Sequence, residues 1–154
     1  MLKGFLSIFG FVGRATEAQT AASLKKLTSA LERRLDNPDR YTVVFGYGMK
    51  PGIMSTKISC YAIGFSQQDN SLAIVPIYCD SDEIEDLYFF EREDIKSIAT
   101  GVQGEKILKS DKIKGDIRFT VPGYTNENAE DMFQLPIIQL DAVTAFEKWI
   151  KEVF

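Results

Sequence analysis

Residues 57–79 read KISCYAIGFSQQDNSLAIVPIYC, two runs rich in β-branched and aromatic residues separated by the polar residues QQDNS. Such runs predict strands, and Asp69 and Asn70 tolerate the positive φ of a tight turn. We therefore predict an antiparallel hairpin with a two-residue turn. This turn places Cys60 opposite Cys79, which leaves two interpretations: a cross-strand redox pair, or two small buried hydrophobic side chains.

Both faces of the predicted hairpin are apolar. One face carries Tyr61, Ile63, Phe65, Ile74 and Tyr78, and the other carries Ile58, Cys60, Ala62, Val75 and Ile77. An antiparallel sheet with one face in water shows a cleaner alternation of apolar and polar residues. The pattern therefore predicts that another part of the chain, or a partner, covers the second face.

Amphipathic helices are predicted before and after the strands, at residues 16–35 and from Asp141, as N-cap, to the end of the chain. The apolar residues at helical spacing are Ala21, Leu24, Leu27, Leu31 and Leu35 in the first helix, and Val143, Phe146, Ile150 and Val153 or Phe154 in the last. Besides the hairpin, extended stretches predict strands at 41–49, 86–92, 94–100, 104–110, 115–123 and 131–138.

The order of about seven strands and one amphipathic helix, over residues 41–154, resembles that of pleckstrin-homology-like (PH-like) domains. The stretch YFFEREDIKSIATG at 88–101 is similar to the corresponding strand of GRAM-like and bacterial PH-type domains. The resemblance implies a mostly antiparallel, partly open barrel capped by the C-terminal helix. The N-terminal helix and the opening segment lie outside the family pattern, so the predicted fold is α+β with an extra N-terminal helix. The chain then divides into an apolar segment (1–14), an amphipathic helix (15–36) and a PH-like domain (41–154).

The resemblance also marks a candidate anionic-ligand loop. In the family, basic residues around the first hairpin loop bind lipid headgroups, and Lys50 and Lys57 stand in that loop here. The Arg of the family pattern does not follow, since Ile58 and Ser59 come after Lys57. Domains of this shape also bind peptides and proteins, so the fold alone does not choose among these ligands.

Composition argues against most catalytic and metal chemistry. The 154 residues suffice for one domain and include two cysteines but no histidine. The usual general base and the commonest metal ligand are therefore missing, and two cysteines cannot complete a four-thiolate zinc site. Neither nucleotide-binding glycine motif is present. We expect no cofactor, no metal and no enzymatic activity; a hydrolase that uses two carboxylates is the remaining catalytic alternative.

Charge is divided unevenly along the chain. Residues 1–57 hold nine Lys and Arg against four acids, and residues 58–154 hold nine against eighteen. Residues 80–94 carry eight acids without EF-hand spacing, which favours a solvated or partner-facing acidic rim over a calcium site. Its expected internal partner is the helix with Lys25, Lys26, Arg33 and Arg34. The basic residues at 105–118 are diluted by acids, so we expect a solvated hairpin and no nucleic acid partner.

The opening stretch MLKGFLSIFGFVGR, residues 1–14, is dominated by large apolar side chains. They include Phe5, Leu6, Ile8, Phe9, Phe11 and Val12. One hypothesis is that this segment and the next helix cover the second face of the sheet, in the same chain or in a second copy. The protein is then a non-catalytic interaction module that binds a protein or peptide partner or self-associates. We expect a cytoplasmic location for such a module. The alternative is a peripheral membrane protein, whose apolar segment and basic helix contact anionic lipid.

Overall fold

The computed structural model describes residues 13–49, 58–77 and 87–154. Within these ranges the chain forms two α-helices, α1 (Glu17–Glu32) and α2 (Leu140–Val153). The strands are β1 (Thr42–Met49), β2 (Ile58–Phe65), β3 (Leu72–Ile77), β4 (Tyr88–Phe90), β5 (Ile95–Thr100), β6 (Lys106–Ser110) and β7 (Asp116–Thr120). Short 3-10 helices lie at Pro38–Arg40, Arg92–Asp94, Val102–Gly104 and Ala129–Met132.

The strands form one antiparallel sheet in the order β4-β3-β2-β1-β7-β6-β5. Strand β1 joins the two halves of the sheet, because it pairs with β2 over its whole length and with β7 near its end. The sheet is not closed into a barrel, and β4 and β5 are its edges. The predicted α+β class, with about seven mostly antiparallel strands, a helix before them and a helix after them, is confirmed.

Helices cover both faces of the sheet. On one face, α2 packs against a core that includes Phe65 and Trp149. On the other face, Leu27 and Leu31 of α1 pack against β1, β2 and β3 and are at most 1 % exposed. Burying each large apolar side chain contributes roughly 1.5–3 kcal/mol. The prediction that another part of the chain covers the second face is confirmed for α1.

Helix α1 starts at a capping box. Thr16 Oγ1 accepts a hydrogen bond from Gln19 N at 3.1 Å, and Thr16 N donates one to Gln19 Oε1 at 2.9 Å. These bonds satisfy backbone donors at the start of the helix. The helix ends at Glu32, before the predicted end at Leu35.

The buried face of α1 differs from the prediction. It includes Ser23 and Leu27, whereas Leu24 is 36 % exposed and Ala21 is also exposed. Ser23 Oγ donates a hydrogen bond to Pro136 O at 2.6 Å. Because the chain around Pro136 lies against this side of the helix, a hydroxyl side chain is buried where apolar periodicity favours leucine.

The predicted register of the β2–β3 hairpin is wrong. Cys60 lies opposite Ile77, and Cys79, which was expected to face it, is outside the described residues. The turn occupies residues 67–70 instead of two residues, and this difference shifts every facing pair. A redox pair of Cys60 and Cys79 stays a prediction. In this register the two residues do not face each other directly, so their side chains would have to meet diagonally across the hairpin.

Hydrogen bonds within the longer turn hold its shape. Asp69 accepts hydrogen bonds from Ser71 Oγ at 2.6 Å and from Ser71 N at 3.1 Å. These bonds, the hydroxyl bond foremost, lower the pKa of the Asp69 carboxyl. Asn70 takes the left-handed position at φ 58°, and its Oδ1 accepts a hydrogen bond from Trp149 Nε1 at 3.2 Å. The turn is thereby tied to α2.

The strand predicted at residues 131–138 is absent from the described chain. A 3-10 helix occupies Ala129–Met132, and only a single bridge, between Ile138 and Tyr124, lies beyond it in this stretch. Pro136 has no N–H to donate to a neighbouring strand, which weakens any ladder at this position.

A glutamine side chain replaces part of the missing ladder. Gln139 Nε2 donates to Phe45 O at 2.9 Å, and Gln139 Oε1 accepts from Phe45 N at 2.8 Å. Because this amide is engaged with β1, it does not cap α2, which begins at Leu140 without a side-chain cap. The predicted N-cap Asp141 therefore lies inside the helix.

Candidate functional site

A groove opens where the loop after β7 meets β1. Its volume is about 140 Å³, and it is lined by Tyr47, Pro122, Tyr124, Thr125, Asn126, Ala129, Met132 and Gln134. The lining residues that the structure describes combine aromatic, aliphatic and amide side chains and include no carboxylate. This chemistry suits apolar side chains attached to a polar backbone, as a peptide presents them.

One wall of the groove is a ribbon of two extended segments. Thr125 N donates to Ile137 O at 2.8 Å, and Ile137 N donates to Thr125 Oγ1 at 2.8 Å. Gln139 N donates to Gly123 O at 2.8 Å at the next step of the ribbon. Because these bonds satisfy backbone groups around the buried Thr125, the wall is held in one conformation.

The start of the described chain adds a third segment to this ribbon. Arg14 forms an antiparallel bridge with Asn126. The flanking hydrogen bonds run from Ala15 N to Thr125 O at 3.1 Å and from Glu127 N to Gly13 O. The residues before Gly13 therefore join the described chain directly beside the groove.

Large side chains at the edge of the groove are exposed. Tyr124, Met132 and Phe133, which we call the apolar rim, are 40 %, 57 % and 59 % exposed. The Arg14 guanidinium lies 3.9 Å from the centroid of the Tyr124 ring, in a cation–π contact that orients this ring. Grouped exposed apolar side chains are typical of interaction sites.

Phe133 combines its exposure with an unusual backbone conformation. It lies in the left-handed region, at φ 59° and ψ 34°, where bulky residues are rare. Its carbonyl oxygen accepts a hydrogen bond from Cys60 Sγ at 2.7 Å. A strained conformation that holds an exposed aromatic ring supports the hypothesis that this ring has a function.

Most contact residues predicted from the sequence lie outside the described ranges. These are Phe5, Leu6, Ile8, Phe9, Phe11 and Val12 of the opening segment, Lys50 and Lys57 of the candidate anionic-ligand loop, and Cys79. Cys60 is described and buried, as its interpretation as a small core side chain requires.

The sequence interpretation missed the apolar rim, because it assigned residues 131–138 to a strand. A signal for a loop was present. Gly123, Asn126 and Asn128 precede Met132 and Phe133 in a largely polar stretch, and such composition indicates loop structure. Large apolar residues in a loop of this kind are candidates for exposed contacts.

Lys106 is a further correction, since the sequence placed it in a solvated hairpin. Its side chain is 3 % exposed, and its Nζ lies 2.8 Å from Glu147 Oε2 and 2.9 Å from Thr100 Oγ1. The lysine therefore joins β6 to α2 inside the molecule and takes no part in a basic surface.

The acidic stretch is described only in part. Asp94 accepts hydrogen bonds from Glu91 N at 2.8 Å and from Lys112 Nζ at 3.2 Å, and these bonds, the backbone one foremost, lower the pKa of its carboxyl. Residues 78–86 lie outside the described ranges. The predicted pairing of the acidic rim with α1 therefore stays a prediction.

Among the residues that the structure describes, no helix is both long and apolar enough to cross a membrane, and no group of three or more Cys, Asp or Glu side chains is placed to hold a metal ion. Comparison of the chain with protein-family models, curated proteins and solved structures finds no match.

Proposed function

We propose that this chain is a non-catalytic interaction module with a PH-like domain over residues 41–154. The apolar rim and its groove bind an apolar segment of a protein partner, and the first partner to test is a second copy of this chain. The observation that carries the proposal is the exposure of Tyr124 and Met132, which line the groove, and of Phe133, which lies between the lining residues Met132 and Gln134 in sequence. Aromatic residues and methionine are enriched at the centres of protein interfaces.

Two further features support a binding role for the groove. Its wall is fixed by backbone hydrogen bonds, so the binding of a ligand costs little conformational entropy in the groove. The lining offers Asn126 and Gln134 at its polar side, and these amides can pair with the backbone of an apolar peptide. Among the described residues of the lining, none is a carboxylate that the hydrolase alternative could use.

Sedimentation velocity of the full chain over a range of concentrations tests the proposal. We expect reversible self-association that Phe133→Asp weakens at least tenfold, because the charge would be desolvated in the interface. Asp also tolerates the left-handed conformation at this position, so the substitution is compatible with the fold. Val102→Asp is the matched control, since Val102 is 85 % exposed on a different loop. A chain that stays monomeric, or association that Phe133→Asp leaves intact, contradicts the proposal.

A peripheral membrane role is the second candidate. Lys25 of α1 and Arg33, the residue that caps its C-terminal end, are exposed cations, which favours contact with anionic lipid. Co-sedimentation of the full chain with vesicles of neutral lipid, and of neutral lipid mixed with phosphatidylserine, separates the candidates. Under the interaction-module proposal the chain stays in the supernatant with both. Pelleting with the anionic vesicles alone, abolished by Lys25→Glu with Arg33→Glu, favours the membrane role.

A further inference from the structure

We propose that two copies of this chain associate through a two-fold contact in which Phe133 of each copy enters the groove of the other. The inference rests on the proposed function and deepens it, because it names the group that occupies the groove. The groove is then a receptor for one phenyl ring, and the same surface supplies both the ring and its receptor.

The position of Phe133 beside the groove supports this arrangement. Met132 and Gln134, its neighbours in sequence, line the groove, whereas Phe133 is not among the described lining residues. Phe133 is instead 59 % exposed. An exposed ring next to a cavity that it does not fill gives one surface both a projection and a recess. Such a surface is self-complementary about a two-fold axis, because each contact between its two parts then occurs twice.

The size and chemistry of the groove suit a phenyl ring. Its volume is about 140 Å³, and an apolar protein cavity of about 150 Å³ holds a benzene molecule. The lining includes Tyr47, Tyr124 and Met132. Aromatic rings and thioether sulfur both make favourable contacts with an aromatic ring. The groove therefore accepts one aromatic side chain.

Hydrogen bonds hold the ring in place before association. Phe133 N donates to Glu130 O at 3.1 Å, and Phe133 O accepts from Cys60 Sγ at 2.7 Å. The next residue, Gln134, donates from its N to Ala129 O at 2.9 Å. Because these bonds fix the left-handed backbone of Phe133, insertion of its ring costs little conformational entropy.

Charges on the same surface are complementary in this arrangement. The Arg14 guanidinium lies 3.9 Å from the centroid of the Tyr124 ring, which lines the groove. Glu130 and Asp131 are exposed on the loop just before Phe133. When Phe133 of one copy enters the groove of the other, these acidic residues approach Arg14 of the receiving copy. Opposite charges thus meet in both halves of the two-fold contact, which favours a second copy as the occupant.

Complementation between two variants of the full chain tests the reciprocal insertion. Phe133→Asn removes the ring and tolerates the left-handed backbone. Asn126→Trp obstructs the groove, since Asn126 is an exposed lining residue. A dimer of either variant loses both contacts, whereas a mixed dimer keeps one. In sedimentation velocity we expect each variant alone to associate at least about tenfold more weakly than the unsubstituted chain.

The mixture of the two variants gives the decisive measurement. If the two contacts contribute equally, the dissociation constant of the mixed dimer lies near the geometric mean of those of the unsubstituted chain and the single variants. The matched control carries Phe133→Asn and Asn126→Trp in one chain. This double variant has neither the ring nor an open groove, so it should gain nothing when it is mixed with either single variant. Gln134→Trp replaces Asn126→Trp if circular dichroism shows that the latter does not fold.

The outcomes separate this inference from the proposed function. A mixture that associates no better than the single variants, when the unsubstituted chain self-associates, overturns the reciprocal insertion and leaves the proposed function standing. The groove is then free for a different apolar segment of the second copy. An unsubstituted chain that stays monomeric overturns the proposed function and this inference together.

A second measurement does not depend on the aromatic variants. Glu130→Lys with Asp131→Lys should weaken association several-fold at low salt, because Arg14 of the receiving copy then meets like charges. Asp39→Lys with Glu93→Lys is the matched control, since both acids are exposed on other 3-10 helices and the net charge changes equally. An effect no larger than that of the control overturns the placement of Phe133 beside Arg14 of the second copy.

Discussion

At the scale of single residues, Lys106 and Glu147 form the most consequential ion pair among the described residues. The Lys106 side chain is 3 % exposed, whereas that of Glu147 is 41 % exposed. Replacing Glu147 by Gln leaves a buried ammonium without its charge partner. Loss of one partner from a fully buried pair costs 3–5 kcal/mol, and access of water to the Glu147 side reduces the expected loss in unfolding free energy to about 1–2 kcal/mol. Urea unfolding measures it.

Glu152→Gln is the matched control for Glu147→Gln, since both residues lie on α2. Glu152 pairs with Lys148 at 3.9 Å, and both side chains are mostly exposed. Exposed pairs one helical turn apart contribute only about 0.3–0.5 kcal/mol. If the two substitutions destabilise the protein equally, the buried lysine does not depend on Glu147, and the assignment of this pair as the link between β6 and α2 is wrong.

At the scale of elements, Gly48 permits the close antiparallel pairing of β1 with β7. A Cβ atom at this position would overlap Arg118 O and would lie 3.0 Å from Phe119 Cα, so backbone atoms would have to move. We expect Gly48→Ala to lower the unfolding free energy by about 2 kcal/mol, the usual cost of overpacking. Gly101→Ala is the control, because the nearest atom to its Cβ would be the flexible end of Ile107, at 3.3 Å, and the nearest backbone atom, Glu105 O, would lie at 3.6 Å, an ordinary contact distance. Equal midpoints of thermal unfolding for the two variants would show that β7 is not held this closely.

The elements that the sequence predicted well are those with a strong hydrophobic pattern. The two-faced hairpin is recognised by two continuous apolar runs around a polar turn, and the final helix by apolar residues at every third and fourth position, because burial selects these patterns. The wrong predictions concern segments in which side chains form hydrogen bonds that backbone groups form in a regular hairpin or strand. Asp69 and Ser71 stabilise a longer turn than a two-residue hairpin needs, and Gln139 replaces a strand partner for β1. Apolar spacing carries no signal for either arrangement.

The candidate site was less predictable than the fold for the same reason. Its groove depends on a loop whose shape comes from hydrogen bonds between Thr125, Ile137 and the start of the chain, which are distant in sequence. The sequence did mark residues 1–12 as apolar in excess of what a solvated segment needs. It did not indicate that Phe133 is exposed in a loop, since this residue fits a strand pattern and only the structure shows its left-handed backbone.

At the scale of the whole molecule, the two helices lie on opposite faces of one sheet. We therefore expect destabilisation of one helix to affect the unfolding of the other. Trp149, the single tryptophan, lies on the buried face of α2. Leu27 lies on the buried face of α1, on the other side of the sheet, and is fully buried. We expect Leu27→Ala to cost about 3 kcal/mol and to shift the urea midpoint of Trp149 fluorescence and of far-ultraviolet circular dichroism together, because a single domain of this size unfolds cooperatively.

Leu24→Ala supplies the control on the same helix, since Leu24 is 36 % exposed and its loss should cost less than about 1 kcal/mol. A Trp149 transition that stays in place while helical dichroism is lost at lower urea would make α1 a separable layer. The second face of the sheet would then be open to a partner whenever α1 detaches, and the interaction surface would have to be sought there instead of at the apolar rim. Coincident transitions keep α1 in the core and leave the groove beside Tyr124 as the surface that we propose for association.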